Sequence, residues 1–433
     1  MSMLAFPSGA RKDERDANTE SAVFQFMSAH RCVRATGVAE WITMPARAEG
    51  REPAQFQAHV QAALERARSN GIKHPIVIGA LPFDLKQPVS LAIPQSYEFF
   101  TREDQPAAAQ PSSTALPQAT YARSVPEEIR FRQGVQQAIA NFHFSDIRKV
   151  VLSRLLEVGL AENIDPAQLF ARLLAQNPGG YQFRMRTANG AELIGASPEL
   201  LVRKHAGRIY SNPLAGSARR QATPALDQQV SQDLLHSDKD LYEHSLVIED
   251  LQRVMQTLCD ELTVPATPSL ISTASMWHLS TAIEGIPADP AMSVLELACQ
   301  LHPTPALCGY PTQLARKLIS LVEPFERGLF GGMVGWCDAE GDGEWAVSIR
   351  CGLVQEKQVQ LFAGAGIVAA SCPESEWAET QAKLQTMLNA LGIDIQPTEK
   401  QSTAQQQAQQ QTQQQTQQQT QQQQPQAADE VLV

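Results

Sequence analysis

Hydrophobic positions along this chain switch repeatedly between helical and strand spacing. Phe56, Val60, Leu64 and Ala67 recur at helical intervals and stop at Gly71, which predicts a helix. The apolar run "HPIVIGALPF" that follows predicts a buried strand. Ser124, Pro126 and Glu127 make a capping box with an early proline and predict a helix to about Asn141. "RKVVLSRLLEV" reads as a strand, and Asp165-Pro166 caps a short helix that ends before "NPGG".

The next stretch alternates apolar and polar residues between turn signals: "YQFRMRT", then "ANG", then "AELIGASPELLVRK", then "HAG", then "RIYSNPLAGSARR". "DKDLYEHSLVIEDLQRVMQTLCDEL" returns to helical spacing, with Val247, Leu251, Val254 and Leu258 on one stripe. Farther on, "GGMVGWCD", "EWAVSIRCGLV" and "VQLFAGAG" predict three strands joined by "AEGDG" and "EKQ". Short-loop strand runs interleaved with helices predict an antiparallel-rich α+β fold. There is no internal repeat, no GxGxxG and no P-loop.

Composition changes this picture mainly at the ends. The tract "QQQAQQQTQQQTQQQTQQQQPQ" has no apolar periodicity and cannot bury enough surface to fold alone. The reading is therefore a poorly ordered N-terminus (1–20), one catalytic domain (21–396) and a disordered tail (397–433). "EDQPAAAQPSSTALPQAT", Glu103 to Thr120, reads as a surface excursion. A formal net charge of −11 argues against nucleic acid or an anionic membrane as the main partner. The seven cysteines, odd in number and without a close CxxC pair, suit reduced thiols better than disulfides or zinc. With no signal peptide pattern and no apolar window of the roughly 18 to 20 residues a membrane span needs, the expectation is a soluble cytoplasmic protein.

Several side chains could carry chemistry. Lys149 opens an apolar strand and shares a face with Val151 and Ser153; it either snorkels to water or is desolvated enough to act as a base. Glu199, in "LIGASPELLV", either caps a surface turn or is a buried carboxyl able to donate a proton. Glu243 extends the apolar stripe of its helix, so it is exposed at the first turns or buried and paired. Arg350 shares a strand face with Ala346, Ser348 and Gly352, small neighbours that leave room for an anion. Glu376, Glu379 and Lys383, spaced i, i+3 and i+7, share one helix face, as surface decoration or aimed into a site. His278, in "SMWHLST", reads as a core histidine more readily than as a catalyst.

"KVVLSR", "GASPELLVR", "PLAGSARR", "DKDLYEHSLV", "MWHLST", "HPTPALCGYP", "EPFERGLFGGMVGW", "SIRC", "LFAGAGIV" and "EWAETQAKLQTML" together resemble the chorismate-binding enzymes. Within that family the likeness is to the isochorismate synthases that feed catecholate siderophore pathways. The similarity runs from roughly Ile72 to Leu391 and is strongest after Lys149.

The resemblance implies a single α+β domain of two packed antiparallel-rich sheets surrounded by helices. It also implies Mg²⁺ dependence, chorismate as substrate and isochorismate as product, with water added at C2 and the C4 hydroxyl lost. Position by position, Lys149 matches the base that activates water and Glu199 the acid that protonates the leaving hydroxyl. Glu243 and Glu379 match magnesium ligands; Glu376, on the same helix face, would reach the metal through water or directly. Arg350 and Lys383 match anchors for substrate carboxylate, and Gly216, Ser217, Ala306 and Gly364 match pocket-lining positions. "PLAGS" lacks the lysine of the "PIKGT" found in aminodeoxychorismate synthases, and Lys149 stands where anthranilate synthases have glutamine and depend on a glutaminase. The expectation is thus water as nucleophile, no glutaminase subunit, and a monomer. A salicylate synthase, which goes on to eliminate pyruvate, and a catalytically silent paralogue are the alternatives.

Overall fold

Strand Ile76–Leu81 is buried along its whole length, and its alternate residues enter two different cores. Ile76, Ile78 and Ala80 meet Phe24, Phe26, Phe183 and Trp336, whereas Val77 and Leu81 meet Phe56, Val60 and Leu64 of helix Pro53–Ser69. Successive side chains of a strand point to opposite faces, so one strand divides a core between two sheets from a core under helices. The computed structural model describes residues 23–47, 53–104 and 116–394. The expected ragged N-terminus, the glutamine-rich tail and the middle of the Glu103–Thr120 excursion lie outside those residues.

One sheet has ten strands, running Gly309–Tyr310, Lys149–Leu160, Gln358–Ile367, Cys351–Gln355, Glu192–Ser197, Tyr181–Arg186, Val23–Met27, Cys32–Thr36 and Ser96–Phe100, with Ala119–Val125 also on Lys149–Leu160. The other has nine, in the order Cys259–Thr263, Ile283–Pro287, Arg208–Asn212, Leu200–His205, Gly343–Val347, Met333–Asp338, Ile76–Leu81, Ser90–Ile93 and Glu40–Ile42. The predicted pair of packed antiparallel sheets with helices outside is thus present, and a three-stranded sheet of Leu214–Arg219, Met276–Ser280 and Ser269–Ser272 is added to it. A third core, with Phe131, Val135, Leu318 and Ile319 against Val150, Leu152, Ala365 and Ile367, seats helices Glu128–Phe142 and Thr312–Val322 on the outer face of the ten-stranded sheet. Among the described residues no helix is long and apolar enough to cross a membrane, and all seven cysteines are free.

Three sequence expectations need correction. The helix after Pro126 starts at Glu128, and its N-cap Glu127 makes no side-chain capping bond. Ser124 belongs instead to strand Ala119–Val125; its hydroxyl donates to the Pro126 carbonyl at 2.9 Å and accepts from Arg154 Nη1 at 3.0 Å. The buried Arg154 guanidinium needs acceptors, and Ser124 serves it rather than a helix N–H. The long helix Asp238–Met255 ends before Leu258, and Cys259–Thr263 pairs as a strand with Ile283–Pro287. Leu258 still enters the core, which lengthens the apparent helical stripe.

The third correction positions the site. "AELIGASPELLVRK" and "EWAVSIRCGLV" each read as one strand, but each is cut in two and serves both large sheets. Glu192–Ser197 pairs with Cys351–Gln355 in the ten-stranded sheet, and Leu200–His205 pairs with Gly343–Val347 in the nine-stranded one. The two crossings lie side by side and are tied at both ends, Val347 N–H donating to the Glu199 carbonyl and Ala196 N–H to the Arg350 carbonyl, each at 3.1 Å. Pro198 lacks the N–H a continuing ladder needs, and Arg350 has φ of +50°, so the strand alternation expected around it breaks there.

Candidate active site

The paired crossings deliver Glu199 and Arg350 to one cavity. Glu199 is 3% exposed. Burial pushes its carboxyl up to about 7, against the pull of the Leu214 N–H and of the Lys149, Lys383 and Arg350 charges. It is therefore a carboxyl that stays largely protonated to near neutrality rather than a surface cap. Burial pulls the Arg350 guanidinium down to about 10, with Glu379 and Glu199 acting the other way. Its Nη2 lies 3.2 Å from His278 Nε2, and since arginine can only donate, the imidazole nitrogen accepts. Burial and the Arg350 charge hold His278 well below the usual histidine range, in keeping with a neutral ring. Nη1 of Arg350 has no hydrogen-bond partner among the described residues.

Lys149 is fully buried, so the snorkelling alternative falls. Its Nζ sits 3.0 Å from Glu243 Oε1. Glu243 faces inward because helix Asp238–Met255 is locked by the next residue: His244 donates from Nδ1 to the Ala215 carbonyl at 3.0 Å, and its Nε2 contacts the Thr281 hydroxyl at 2.7 Å. Gly366, on the strand beside Lys149, is a glycine for a steric reason: a Cβ there would collide with the Glu243 carboxyl and crowd the Lys149 stem. Gly216 has φ of +81° where Leu214–Arg219 bulges, and its Cβ would meet Asp240 and Leu279 at 3.0 Å.

Helix Pro373–Leu391 presents the i, i+3, i+7 face inward. Glu379 and Lys383 pair at 2.5 Å, and Lys383 Nζ also donates to the Gly364 carbonyl at 2.7 Å. For Glu379, burial acts upward, but Lys383, Lys239 and the Ser217 hydroxyl outweigh it and hold the carboxyl below its ordinary value. Glu376 is 1% exposed. Burial, with Glu379 next, pushes it up to about 7 against Lys239 and Ser371. The cation nearest Glu376 is Lys239, with Nζ 3.1 Å from Oε1.

The cavity opens to solvent on one side and mixes carboxylate, guanidinium, ammonium and hydroxyl groups with apolar walls, the lining of a site for a small anionic ligand. Glu199, Gly216, Ser217, Glu243, Ala306, Arg350, Gly364, Glu379 and Lys383 all line it. Lys149 stands behind Glu243 rather than in the wall. Sequence reasoning passed over Lys239, Ser153 and Arg327 and read His278 as core. Lys239 could have been found from its i, i+4 relation to Glu243; nothing in the local sequence marks Arg327.

As they stand, no three His, Cys, Asp or Glu side chains among the described residues are gathered closely enough to hold a metal ion. The donor types nonetheless suit a hard divalent cation such as Mg²⁺: the carboxylates Glu243, Glu376 and Glu379 interact electrostatically, and neither oxygen of buried Glu376 meets a well-aligned hydrogen-bond donor.

A family model described as "Chorismate binding enzyme" matches residues 93–392. Isochorismate synthase EntC of Escherichia coli (strain K12) is 46% identical over 371 residues, 86% of this chain and 95% of that protein. The vibriobactin-specific isochorismate synthase of Vibrio cholerae is 40% identical over 380 residues, 88% of this chain and 94% of that one. A solved structure from Bacillus anthracis, described as a 2,3-dihydroxybenzoate-specific isochorismate synthase, superposes with a TM-score of 0.79 at 41% identity, covering 88% of this chain and 100% of that one.

Proposed function

We propose, from the premise that the chain belongs to the chorismate-binding enzyme family, that it is an isochorismate synthase. Lys149, acting in its neutral amine form, takes a proton from a water molecule, whose oxygen bonds to C2 of chorismate. The electron pair displaced from C2 moves through the conjugated ring and breaks the bond from C4 to its hydroxyl. Glu199 gives its proton to that departing oxygen, so one water enters and one leaves. Arg350 and Lys383 hold substrate carboxylate by charge-assisted hydrogen bonds.

The observation that carries this reading is the protonated state available to Glu199. A buried carboxyl held up to about 7, in a cavity lined also by Arg350 and Lys383, is an acid kept loaded for transfer. Glu243 and Glu379 would hold Mg²⁺, with Glu376 linked through water. When bound, the ion supplies positive charge for the substrate carboxylate. The relatives' names point to the first step toward 2,3-dihydroxybenzoate and a catecholate siderophore as the setting. Purified protein given chorismate and Mg²⁺ should yield isochorismate on a chromatogram; salicylate with pyruvate as the main products would overturn the reading in favour of a salicylate synthase.

A further inference from the structure

Lys239 occupies a position that helix electrostatics oppose. It is the second residue of helix Asp238–Met255, whose N-cap Ser237 accepts from Asp240 N–H, so its ammonium lies near the positive end of the helix dipole. A lysine at such a position gains from pointing to water, yet this side chain turns inward and is only 27% exposed. Its Nζ lies 3.1 Å from Glu376 Oε1 and 4.0 Å from Asp240 Oδ1. Burial opposes its charge, but Glu376, Glu243, Glu379 and Asp240 together outweigh burial and stabilise the ammonium. Lys149 is engaged at Glu243 and Lys383 at Glu379, so each of the three carboxylates already has an ammonium beside it.

We propose that Lys239 is an internal counter-ion that competes with the divalent cation for these carboxylates, holding the ion-free protein together and weakening metal uptake. The inference rests on the magnesium part of the reading above. Two independent observations meet in it. The Lys239 ammonium stands 3.1 Å from an oxygen of Glu376, and among the described residues buried Glu376 accepts no well-aligned bond even so. An ammonium beside Glu376 offsets the repulsion among Glu243, Glu376 and Glu379 in the ion-free state. Once a divalent ion arrives, the same ammonium becomes a like charge close to it. Lys239 thereby trades metal affinity for stability without metal.

The test uses Mn²⁺ as a paramagnetic stand-in, titrated into the metal-stripped full chain and read by electron paramagnetic resonance, together with thermal unfolding. Lys239→Gln should bind Mn²⁺ at least about tenfold more tightly than wild type, the scale of a unit charge acting on a divalent ion across a few ångströms even at the dielectric of water. Its metal-free melting temperature should fall, and the gap should close at saturating Mn²⁺. Lys239→Arg keeps the charge and grips carboxylate with a fork, so it should bind Mn²⁺ no more tightly than wild type; this variant decides the matter if Lys239→Gln does not fold without metal. Unchanged or weaker Mn²⁺ binding by Lys239→Gln, or tighter binding by Lys239→Arg, would overturn the proposal. A wild-type protein that takes up no Mn²⁺ would remove the magnesium reading itself and the inference with it, before any variant is compared.

Discussion

Arg327 and Arg350 both line the cavity and are almost equally buried, yet they are built in opposite ways. Arg327 places Nε and Nη2 on the two oxygens of Glu323 at 2.9 and 2.6 Å, Nη1 on the Leu307 carbonyl at 2.7 Å and Nη2 also on the Val151 carbonyl at 2.8 Å. Glu323 in turn accepts the Ser153 N–H at 2.7 Å. Strand Lys149–Leu160 is paired near Lys149 and Val150 by Gly309–Tyr310 and from Leu155 onward by Ala119–Val125. The Glu323–Arg327 pair serves the backbone groups in the gap. Among the described residues Arg350 donates to a neutral histidine and leaves Nη1 unpartnered. Equal burial therefore says little about role; the state of the donors separates scaffold from binding group, because an unpaired buried donor is costly unless a ligand completes it.

If that division holds, altering an incompletely bonded group should change function and leave stability, and altering a saturated one should do the reverse. The largest effect belongs to Lys149, whose ammonium is close to Glu243 but makes no aligned hydrogen bond. Lys149→Ala should lower kcat by about 10⁴-fold while equilibrium binding of chorismate, measured by calorimetry, changes little; retained turnover would remove the lysine from its role. Arg327→Ala should lower unfolding free energy by about 3–5 kcal/mol in a urea titration, because it strands the Glu323 carboxylate in the interior. An unchanged midpoint would erase the contrast between the arginines. Arg350→Lys should raise KM roughly 30-fold, the scale of a lost charge-assisted bond, with the urea midpoint unmoved.

The subtlest effect to read concerns pH. Glu199 has a folded value of about 7, above its ordinary 4.5, so between those pH values the folded state binds more protons than the unfolded one. Its neutral form is accommodated at low pH, and stability is lost as pH rises through that window. Glu199→Gln should thus be more stable than wild type at pH 8 by about 3 kcal/mol and no more stable at pH 4. Calorimetric melts at both values check the sign, and an equal difference at the two would mean that Glu199 is not held protonated.

The comparison also shows what the sequence could carry. Helices Pro53–Ser69 and Pro373–Leu391 are legible from helical spacing, and strand Lys149–Leu160 from an almost unbroken apolar run. Spacing put Glu376, Glu379 and Lys383 on one face but could not say whether that face turned inward; the resemblance to a family supplied the direction. The cuts at Pro198 and Arg350 were illegible for a physical reason. Glu192–Ser197 and Gly343–Val347 are buried throughout and their continuations stay rich in buried residues, so the change of sheet leaves no break in the apolar pattern. Arg350 adopts φ of +50° without a glycine to announce it. Lys239 was missed because a lysine in a first helical turn ordinarily faces solvent, and only tertiary packing brings Glu376 to it.

Entry of a water oxygen with loss of the ring hydroxyl is what separates this chemistry from an internal migration of the hydroxyl. Chorismate converted by the purified protein in ¹⁸O-labelled water, sampled early and weighed by mass spectrometry, should give isochorismate carrying one labelled oxygen at C2. Isochorismate formed without label would mean that the hydroxyl migrates within the substrate, and the assignment of Lys149 and Glu199 as base and acid toward water would fail.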